Sequence, residues 1–268
     1  LRYNGHYPHG EDTIISYSVQ GREVLEGPKL EEIEGVAVIH HRLTIKPGSN
    51  QLELIVLDEK PEINGNSATA GFSKVWLQTD EKGLKFRASE NGKLVVQIPA
   101  NNKAIHLNVV LAHDESESTK NKQPSNQVTN LADKTKGGPR RWETTHTLKG
   151  RLATSTFQGY VMDSITVPLK NAYNSWMRTS SLAFFPDGSL AVGTLPGDIW
   201  IVRGINDKLD KITWQRFAAG LYEPLGMKVV DGVLTAITRG RLVKLHDYNK
   251  DGEADFYEAF FNEDEPDK

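Results

Sequence analysis

A repeat of 44 residues in the C-terminal half constrains the fold more than any other feature of this sequence. In each copy an apolar run leads into an Asp-Gly pair, at Asp187-Gly188 and again at Asp231-Gly232, and a second apolar run follows. Two apolar runs joined by such a pair predict a β-hairpin. A glycine turn and two further runs complete each copy, so each copy predicts a four-stranded antiparallel sheet.

The length of the repeat indicates one architecture above others. Periods in the low forties are typical of β-propeller blades, and propellers close with about four to eight blades. Residues 151–268 have room for about two blades of this period. We therefore expect the first blades of a propeller here, which continues in a longer protein or is completed by another chain. The alternative is that the two sheets form a small sandwich.

The N-terminal part of the sequence has a different pattern. Short apolar or alternating runs end at turn residues throughout residues 1–113, and no stretch has sustained helical spacing. Such runs predict strands. The expected fold is an all-β, antiparallel, sandwich-like domain. Its predicted strands cover residues 13–19, 22–25, 36–45, 51–57, 72–78, 84–88, 94–98 and 105–112.

Residues 114–150 predict a linker or long surface loop between these domains. The run 114–127 carries no apolar side chain except a proline, and such a composition cannot offset the entropy of ordering. A locally basic stretch follows at residues 136–142, with the sequence Lys-Gly-Gly-Pro-Arg-Arg-Trp. We interpret it as a solvated connection whose Trp142 packs on a neighbour.

Charge, cysteine content and hydropathy exclude several classes of protein. The net charge of −3 leaves no basic excess for neutralising phosphates, so we expect no nucleic-acid partner. The sequence contains no cysteine, which excludes disulfides, thiolate nucleophiles, Cys-ligated zinc and covalently attached haem within these residues. No apolar run approaches the ~18 residues of a membrane-spanning helix, so no transmembrane segment is expected in this sequence.

An acidic segment near the C-terminus matches a calcium-loop pattern. Residues 247–258 fit D-x-[DN]-x-[DN]-G-x₅-E at each specified position. Calcium prefers several hard oxygen ligands, and alternate residues of a tight loop can turn theirs inward. The candidate ligands are the side chains of Asp247, Asn249, Asp251 and Asp255, the backbone carbonyl of Glu253 and the carboxylate of Glu258. Because the flanking runs predict strands and not EF-hand helices, the alternative is a solvated Asp/Asn/Gly turn.

Few other residues suggest a site. Arg239 lies in a predicted turn of the second repeat, where propellers place binding groups, and is a candidate cofactor-binding residue; the alternative is an ordinary surface arginine. His40 and His41 are adjacent on a predicted strand and must point to opposite faces, so they cannot chelate one metal together. His6 and His9 are expected in a loop. No hydrolase, zinc-protease, phosphate-loop or dinucleotide motif occurs.

Taken together, these segments resemble large secreted bacterial proteins related to glucose/sorbosone dehydrogenases. The resemblance covers essentially the whole chain and is strongest at residues 175–188, 197–202, 213–226 and 241–258. In those proteins a β domain of unknown function precedes the propeller, and a stretch like residues 136–142 joins the two. The resemblance implies a six-bladed propeller and a periplasmic or secreted location.

The same resemblance implies a function. Related enzymes use pyrroloquinoline quinone (PQQ) with calcium to oxidise a hydroxyl or aldehyde of a sugar. A c-type cytochrome domain or subunit is an implied partner, which must lie outside these residues because they contain no cysteine. The family's catalytic histidine and most of its quinone-binding arginines lie on later blades. The resemblance therefore assigns no catalytic residue here, and the chain alone is not expected to be active.

Two alternatives belong to other functional classes. One is a non-catalytic carbohydrate- or protein-binding module, for which Trp76, Trp142 and Trp176 are the first stacking platforms to examine, although core packing is the more common role of such tryptophans. The other is a structural subunit whose propeller is completed by another chain.

Overall fold

A computed structural model describes residues 1–113, 124–154 and 159–262, and the fold is all-β with antiparallel pairing. The one helical element of these described ranges is a short 3₁₀ helix, Leu131–Thr135. None of their helices is long and apolar enough to cross a membrane. The strands are β1 Arg2–His9, β2 Asp12–Val19, β3 Arg22–Ile33, β4 Val36–Ile45, β5 Leu52–Leu57, β6 Glu62–Asn64, β7 Ser67–Ala70, β8 Ser73–Thr79, β9 Phe86–Ala88, β10 Leu94–Ile98, β11 Ile105–His113, β12 Thr145–Leu148, β13 Thr179–Phe184, β14 Leu190–Thr194, β15 Ile199–Arg203, β16 Ile212–Ala218, β17 Gly226–Val230, β18 Val233–Thr238, β19 Arg241–His246 and β20 Phe256–Asn262.

The chain divides into two compact units, Leu1–Lys136 and Gly137–Lys268. The division lies inside the segment 114–150, which the sequence predicts as a linker; residues 114–123 of that segment lie outside the described residues. Its described part includes the 3₁₀ helix and β12. Leu131 is fully buried against Ile14 and Leu25, so this apolar anchor fixes a stretch that is polar on average.

The first unit contains two sheets that share one core. One sheet has the strand order β1-β2-β3-β4-β11-β8-β7-β6, and the other has the order β5-β10-β9. Leu43, Val75 and Leu107 from the larger sheet pack in the same cluster as Leu94 and Val96 from the smaller sheet. Val75 and Leu77 of β8 enter this core, whereas Trp76 between them points to the other face of the sheet and packs with Val38 and Val110.

The histidines of the first unit have structural partners. His40 is fully buried and bonds Glu31 at 2.8 Å and the Asn108 amide at 2.9 Å, whereas His41 bonds Glu26 at 3.1 Å. The adjacent pair therefore does not converge on one ligand, as predicted.

The expectation that His6 and His9 lie in a loop is wrong, because both belong to β1. A register shift between Tyr3 and Gly5, and the positive φ of 140° at Gly5, interrupt the ladder with β2. This irregularity and Pro8 hide the strand from a reading of apolar periodicity.

The second unit contains the predicted repeat as two antiparallel sheets. The first has the strand order β12-β16-β15-β14-β13, and the second pairs β17, β18, β19 and β20 in sequence order. Both predicted Asp-Gly hairpins are present, with φ of 83° at Gly188 and 79° at Gly232. The fifth strand, β12, was not predicted; it pairs with β16 at the edge of the first sheet.

The two sheets of the second unit share a core. Ala191, Ile201 and Phe217 of the first sheet belong to the same apolar cluster as Leu234 and Leu245 of the second. Ser180 and Ser181 of β13 donate hydrogen bonds to the carbonyl of Pro224 at 2.8 and 2.6 Å, just before β17. The first strand of each copy therefore lies beside the first strand of the other.

Candidate functional site

The acidic loop connects β19 and β20, and its first carboxylate organises the turn. Asp247 accepts hydrogen bonds from the backbone N–H groups of Asp251 at 3.2 Å and Gly252 at 2.9 Å. Lys250 and Gly252 have φ of 60° and 88°. The positive φ favours glycine at position 252, and a Cβ there would displace the end of the Gln215 side chain.

Asn249 and Asp251 complete the inner side of this loop. The Oδ1 atom of Asn249 accepts the Asp251 N–H at 3.0 Å, and Asp251 Oδ1 accepts the Glu253 N–H at 2.9 Å. Burial raises the pKa of Asp247, and the charges of Asp251 and Asp255 raise it further. The structure thus brings Asp247, Asn249 and Asp251 into one turn that concentrates negative charge.

The other two acidic residues of the loop hold the basic stretch. Both carboxylate oxygens of Glu253 are engaged, by the N–H groups of Arg141 and Trp142 at 2.8 Å each. The Nε atom of Arg140 lies 3.5 Å from the same carboxylate, whose side chain is 4% exposed. Asp255 accepts the Gly138 N–H at 2.9 Å and the Tyr248 N–H at 2.7 Å. Glu253 and Asp255 therefore anchor residues 138–142 to the second sheet.

Glu258 lies in β20 and pairs with His246 Nε2 at 2.6 Å. In the described ranges, no group of three or more His, Asp or Glu side chains is arranged to hold a metal ion. The side-chain oxygens of Asp247, Asn249 and Asp251 lie in one turn, where each of these side chains accepts a backbone N–H group. Glu253 was a candidate only through its carbonyl, whereas Asp255 and Glu258 were candidates through carboxylates that have protein partners here. The calcium site stays a prediction.

Sequence reasoning missed the docking of residues 138–142, although the signal was present. Two arginines at 140 and 141 are complementary in charge to an acidic loop in the same unit. Trp142 lies between the guanidinium groups of Arg141 and Arg216, whose carbons are 4.3 and 4.8 Å from the ring centroid. The stretch interpreted as a solvated connection is thus packed within the second unit.

Arg239 lies in the turn between β18 and β19 and is exposed. Its Nη1 atom donates to the Tyr222 hydroxyl at 3.3 Å, and its guanidinium carbon is 5.6 Å from the centroid of the Tyr222 ring. The backbone N–H of Arg239 also donates to the Tyr222 carbonyl at 3.2 Å. The arginine is therefore held on an exposed aromatic ring at one end of the second sheet.

The first sheet contains the equivalent of this backbone hydrogen bond, 44 residues earlier in the sequence. The N–H of Leu195 donates to the carbonyl of Arg178 at 2.8 Å. Leu195 corresponds to Arg239 in the second copy, and Arg178 corresponds to Tyr222, each 44 positions later. Arg178 is exposed and lies 5.5 Å from the centroid of Trp176, which is 63% exposed. Both pairs lie where the first strand of their sheet begins. We call Trp176, Arg178, Tyr222 and Arg239 the arginine edge.

The other candidate stacking platforms are unavailable in this structure. Trp76 is 8% exposed and packs with Val38 and Val110, while Trp142 is covered by two arginines. Of the three tryptophans singled out by the sequence, Trp176 is the exposed one.

One face of the first sheet carries an apolar cavity of about 470 Å³. Leu190, Val192 and Trp214 line it, and the indole Nε1 of Trp214 is buried without a hydrogen-bond partner. In the second copy the equivalents of Leu190 and Val192 are Leu234 and Ala236, which are packed into the core that the two sheets share. The cavity therefore opens on the face that, in the second copy, receives another sheet.

Comparisons with known proteins match a small part of the chain. A family described as a domain of unknown function, DUF6797, matches residues 1–26, which form β1, β2 and the start of β3. No curated protein and no solved structure matches the chain.

Proposed function

We propose that this chain is the N-terminal part of an extracytoplasmic, PQQ-dependent sugar dehydrogenase-like protein, with its second unit forming the first two blades of a six-bladed propeller. The observation that carries the proposal is the arginine edge, where each of the two sheets presents an exposed arginine–aromatic pair at the place where its first strand begins. The sequence resemblance supplies the chemical identity of the cofactor and substrate.

The propeller assignment is supported by how the repeat packs. Adjacent blades place their first strands side by side, as the bonds from Ser180 and Ser181 to Pro224 do. The apolar cavity of the first sheet supplies a second argument, because its lining residues Leu190 and Val192 correspond to residues of the second copy that pack on a neighbouring sheet. The sheet that would pack on this face of the first sheet belongs to another part of the same protein or to a second chain.

The arginine edge suits a planar anion. PQQ carries carboxylates on a flat ring system, and guanidinium groups bind carboxylates while aromatic rings stack on planar groups. Tyr222 and Trp176 orient Arg239 and Arg178 through contacts that leave all four side chains exposed. When bound, PQQ accepts two electrons and two protons from a sugar hydroxyl or aldehyde. The residues of this chain would hold and orient it.

Calcium is proposed at the turn formed by Asp247, Asn249 and Asp251. Three side-chain oxygen donors and the backbone carbonyl of Glu253 are ligands of the type that calcium prefers. Burial raises the pKa of Asp247, the charges of Asp251 and Asp255 raise it further, and a cation bound at this turn would offset that repulsion. The role proposed for the ion is structural, since the same loop anchors residues 138–142.

The test of the enzymatic proposal is a dye-reduction assay on the protein isolated from its natural source. Reduction of an artificial electron acceptor is expected only when both PQQ and a sugar are present. A complete lack of PQQ-dependent reduction across a broad panel of sugars and aldoses contradicts the dehydrogenase proposal.

The second candidate function is non-catalytic carbohydrate binding, and the exposure of Trp176 favours it. Exposed tryptophans stack on the apolar faces of sugar rings at a low entropic cost. Binding of a glycan that is weakened by W176A, without PQQ-dependent reduction by the natural protein, would support this candidate over the enzyme.

A further inference from the structure

A cleft of about 300 Å³ lies between the two sheets of the second unit. The side chain of Asp187, in the first hairpin, and the side chains of Arg203 and His246, at the ends of β15 and β19, line it. These positions are at the opposite end of the strands from the arginine edge. Phe185, Ile201 and Phe217 provide apolar walls. The volume is at the lower end of the range for small-molecule sites, about 300–1,000 Å³.

One side of the cleft carries a carboxylate that is fixed in place. Asp187 Oδ1 accepts hydrogen bonds from the Ser189 hydroxyl at 2.6 Å and the Ser189 N–H at 2.9 Å. These bonds, together with the charge of Arg203, lower the pKa of Asp187, so it is ionised at neutral pH. Asp187 and Arg203 thus present an acceptor and a multiple donor to the same space.

The rim of the cleft carries an aromatic ring that is also held in place. Tyr248 is 46% exposed and stacks on the His246 ring with centroids 5.5 Å apart, and His246 stacks on Phe256 at 5.7 Å. Tyr248 and Phe256 also stack, with centroids 6.4 Å apart, so the three rings form one cluster, and the bond from His246 to Glu258 at 2.6 Å fixes the imidazole. A ring held in this way loses little conformational freedom when a ligand covers it.

Charged groups of both signs line the cleft, namely the carboxylates of Asp187 and Asp247 and the guanidinium of Arg203. His246 is paired with Glu258, and both carboxylate oxygens of Asp247 accept backbone N–H groups. The lining therefore suits a ligand that both donates and accepts hydrogen bonds. It offers hydrogen-bond donors and acceptors beside apolar walls and an exposed ring, which is the combination that a sugar requires.

We propose that this cleft binds a neutral sugar residue, with hydroxyl groups bonded to Asp187 and Arg203 and a C–H face against Tyr248. The site is distinct from the arginine edge and does not depend on PQQ. A protein without dehydrogenase activity could still bind sugar in this cleft, and an active dehydrogenase could lack this second sugar site. Failure of one proposal therefore does not imply failure of the other.

The experiment is an NMR titration of the whole chain with glucose, galactose and mannose, and with glucuronate and glucosamine as charged probes. Saturable shifts around the cleft are expected with at least one neutral sugar. Y248A and D187N are each expected to weaken that binding at least tenfold. The matched controls are Y160A, an exposed tyrosine that does not line the cleft, and D133N, an exposed aspartate of the first unit; both should leave the Kd within twofold.

Three results overturn the proposal: no saturable shift with any neutral sugar, binding of the charged probes alone, or an equal loss of affinity in Y160A or D133N. D187N retains the atoms needed to accept the Ser189 bonds. An unchanged amide spectrum elsewhere in that variant therefore shows that a loss of binding comes from the site and not from unfolding.

Discussion

Arg239 is joined to Tyr222 by two hydrogen bonds, from its backbone N–H to the carbonyl at 3.2 Å and from Nη1 to the hydroxyl at 3.3 Å. Because the backbone bond recurs between Leu195 and Arg178, it belongs to the repeat, whereas the side-chain bond is particular to the second copy. The fold thus sets the position of the turn, and the side chains at that turn are free to serve a ligand.

The first prediction concerns the anchoring of residues 138–142 by Glu253. E253Q should destabilise the second unit by about 2–3 kcal/mol, because a buried carboxylate that accepts two N–H groups loses its charge and gains a mismatched amide. Hydrogen exchange at the amides of Arg141 and Trp142 should accelerate. The control is D251N, whose carboxylate is on the inner turn. Unchanged exchange at both amides in E253Q would show that the anchor is not needed.

The second prediction concerns pH and Asp12. Burial alone would raise its pKa, but hydrogen bonds from Lys134 and Arg42 lower it below the ordinary 3.8. The stability that this carboxylate contributes is therefore present above about pH 4 and is lost as the pH falls through its lower folded value. D12N should flatten this part of the acid denaturation curve of the first unit.

The same variant should lower stability at neutral pH. The Arg42 side chain is 4% exposed and bonds Asp12 at 2.7 Å, so removing the charge should cost about 2 kcal/mol. The matched control is E23Q, which removes the exposed Glu23–Lys46 pair and should cost less than ~1 kcal/mol. If D12N and E23Q lower the free energy of unfolding in urea by equal amounts, burial of the Asp12–Arg42 pair does not increase its contribution.

The third prediction concerns Gly197, in the turn between β14 and β15. Its φ is 112°, and a Cβ there would overlap the carbonyl of Leu221, so G197A should cost more than ~3 kcal/mol. Gly188 and Gly232 also have positive φ, but a Cβ would meet no atom within 4 Å. G188A and G232A should therefore cost only about 1–2 kcal/mol. If thermal unfolding shows that G197A loses no more stability than G188A and G232A, the close approach of Gly197 to the Leu221 carbonyl is contradicted.

The fourth prediction concerns calcium. Adding Ca²⁺ to chelator-treated protein should raise the Tm of the second unit, and a ligand at a hundred times its Kd stabilises by about 2.7 kcal/mol. D251N should reduce the shift, whereas D133N, an exposed carboxylate in the first unit, should not. An identical Tm with Ca²⁺ and with chelator would contradict the proposed calcium site.

The sequence predicted the strands best where apolar residues alternate and turns carry Asp-Gly or Pro-Gly. Strands β4 and β10 coincide with their predicted ranges, and the repeat gave both hairpins of the second unit. It could not predict β1, because Gly5 and Pro8 break the pattern, nor β12, whose four residues carry one apolar side chain. Short edge strands depend on the neighbour that pairs with them.

The candidate site was only partly predictable for a related reason. The spacing of Asp247, Asn249 and Asp251 identifies a tight acidic turn, because the turn is local in sequence. Glu253 and Asp255 also bind backbone N–H groups that are more than a hundred residues away, and no local pattern reports such contacts. The pairing of Arg178 with Trp176 escaped notice because an arginine beside a tryptophan has no signature until the fold exposes both.

The most direct test of the central claim is equilibrium binding of PQQ to the intact chain, measured by absorbance after dialysis. We expect saturable binding of PQQ that is weakened at least tenfold in the double variant R178A/R239A. Binding should be unchanged in R203A, which removes an exposed arginine at the opposite end of the strands. The absence of saturable binding, or an equal loss of affinity in R203A, would contradict the assignment of the arginine edge as the cofactor surface.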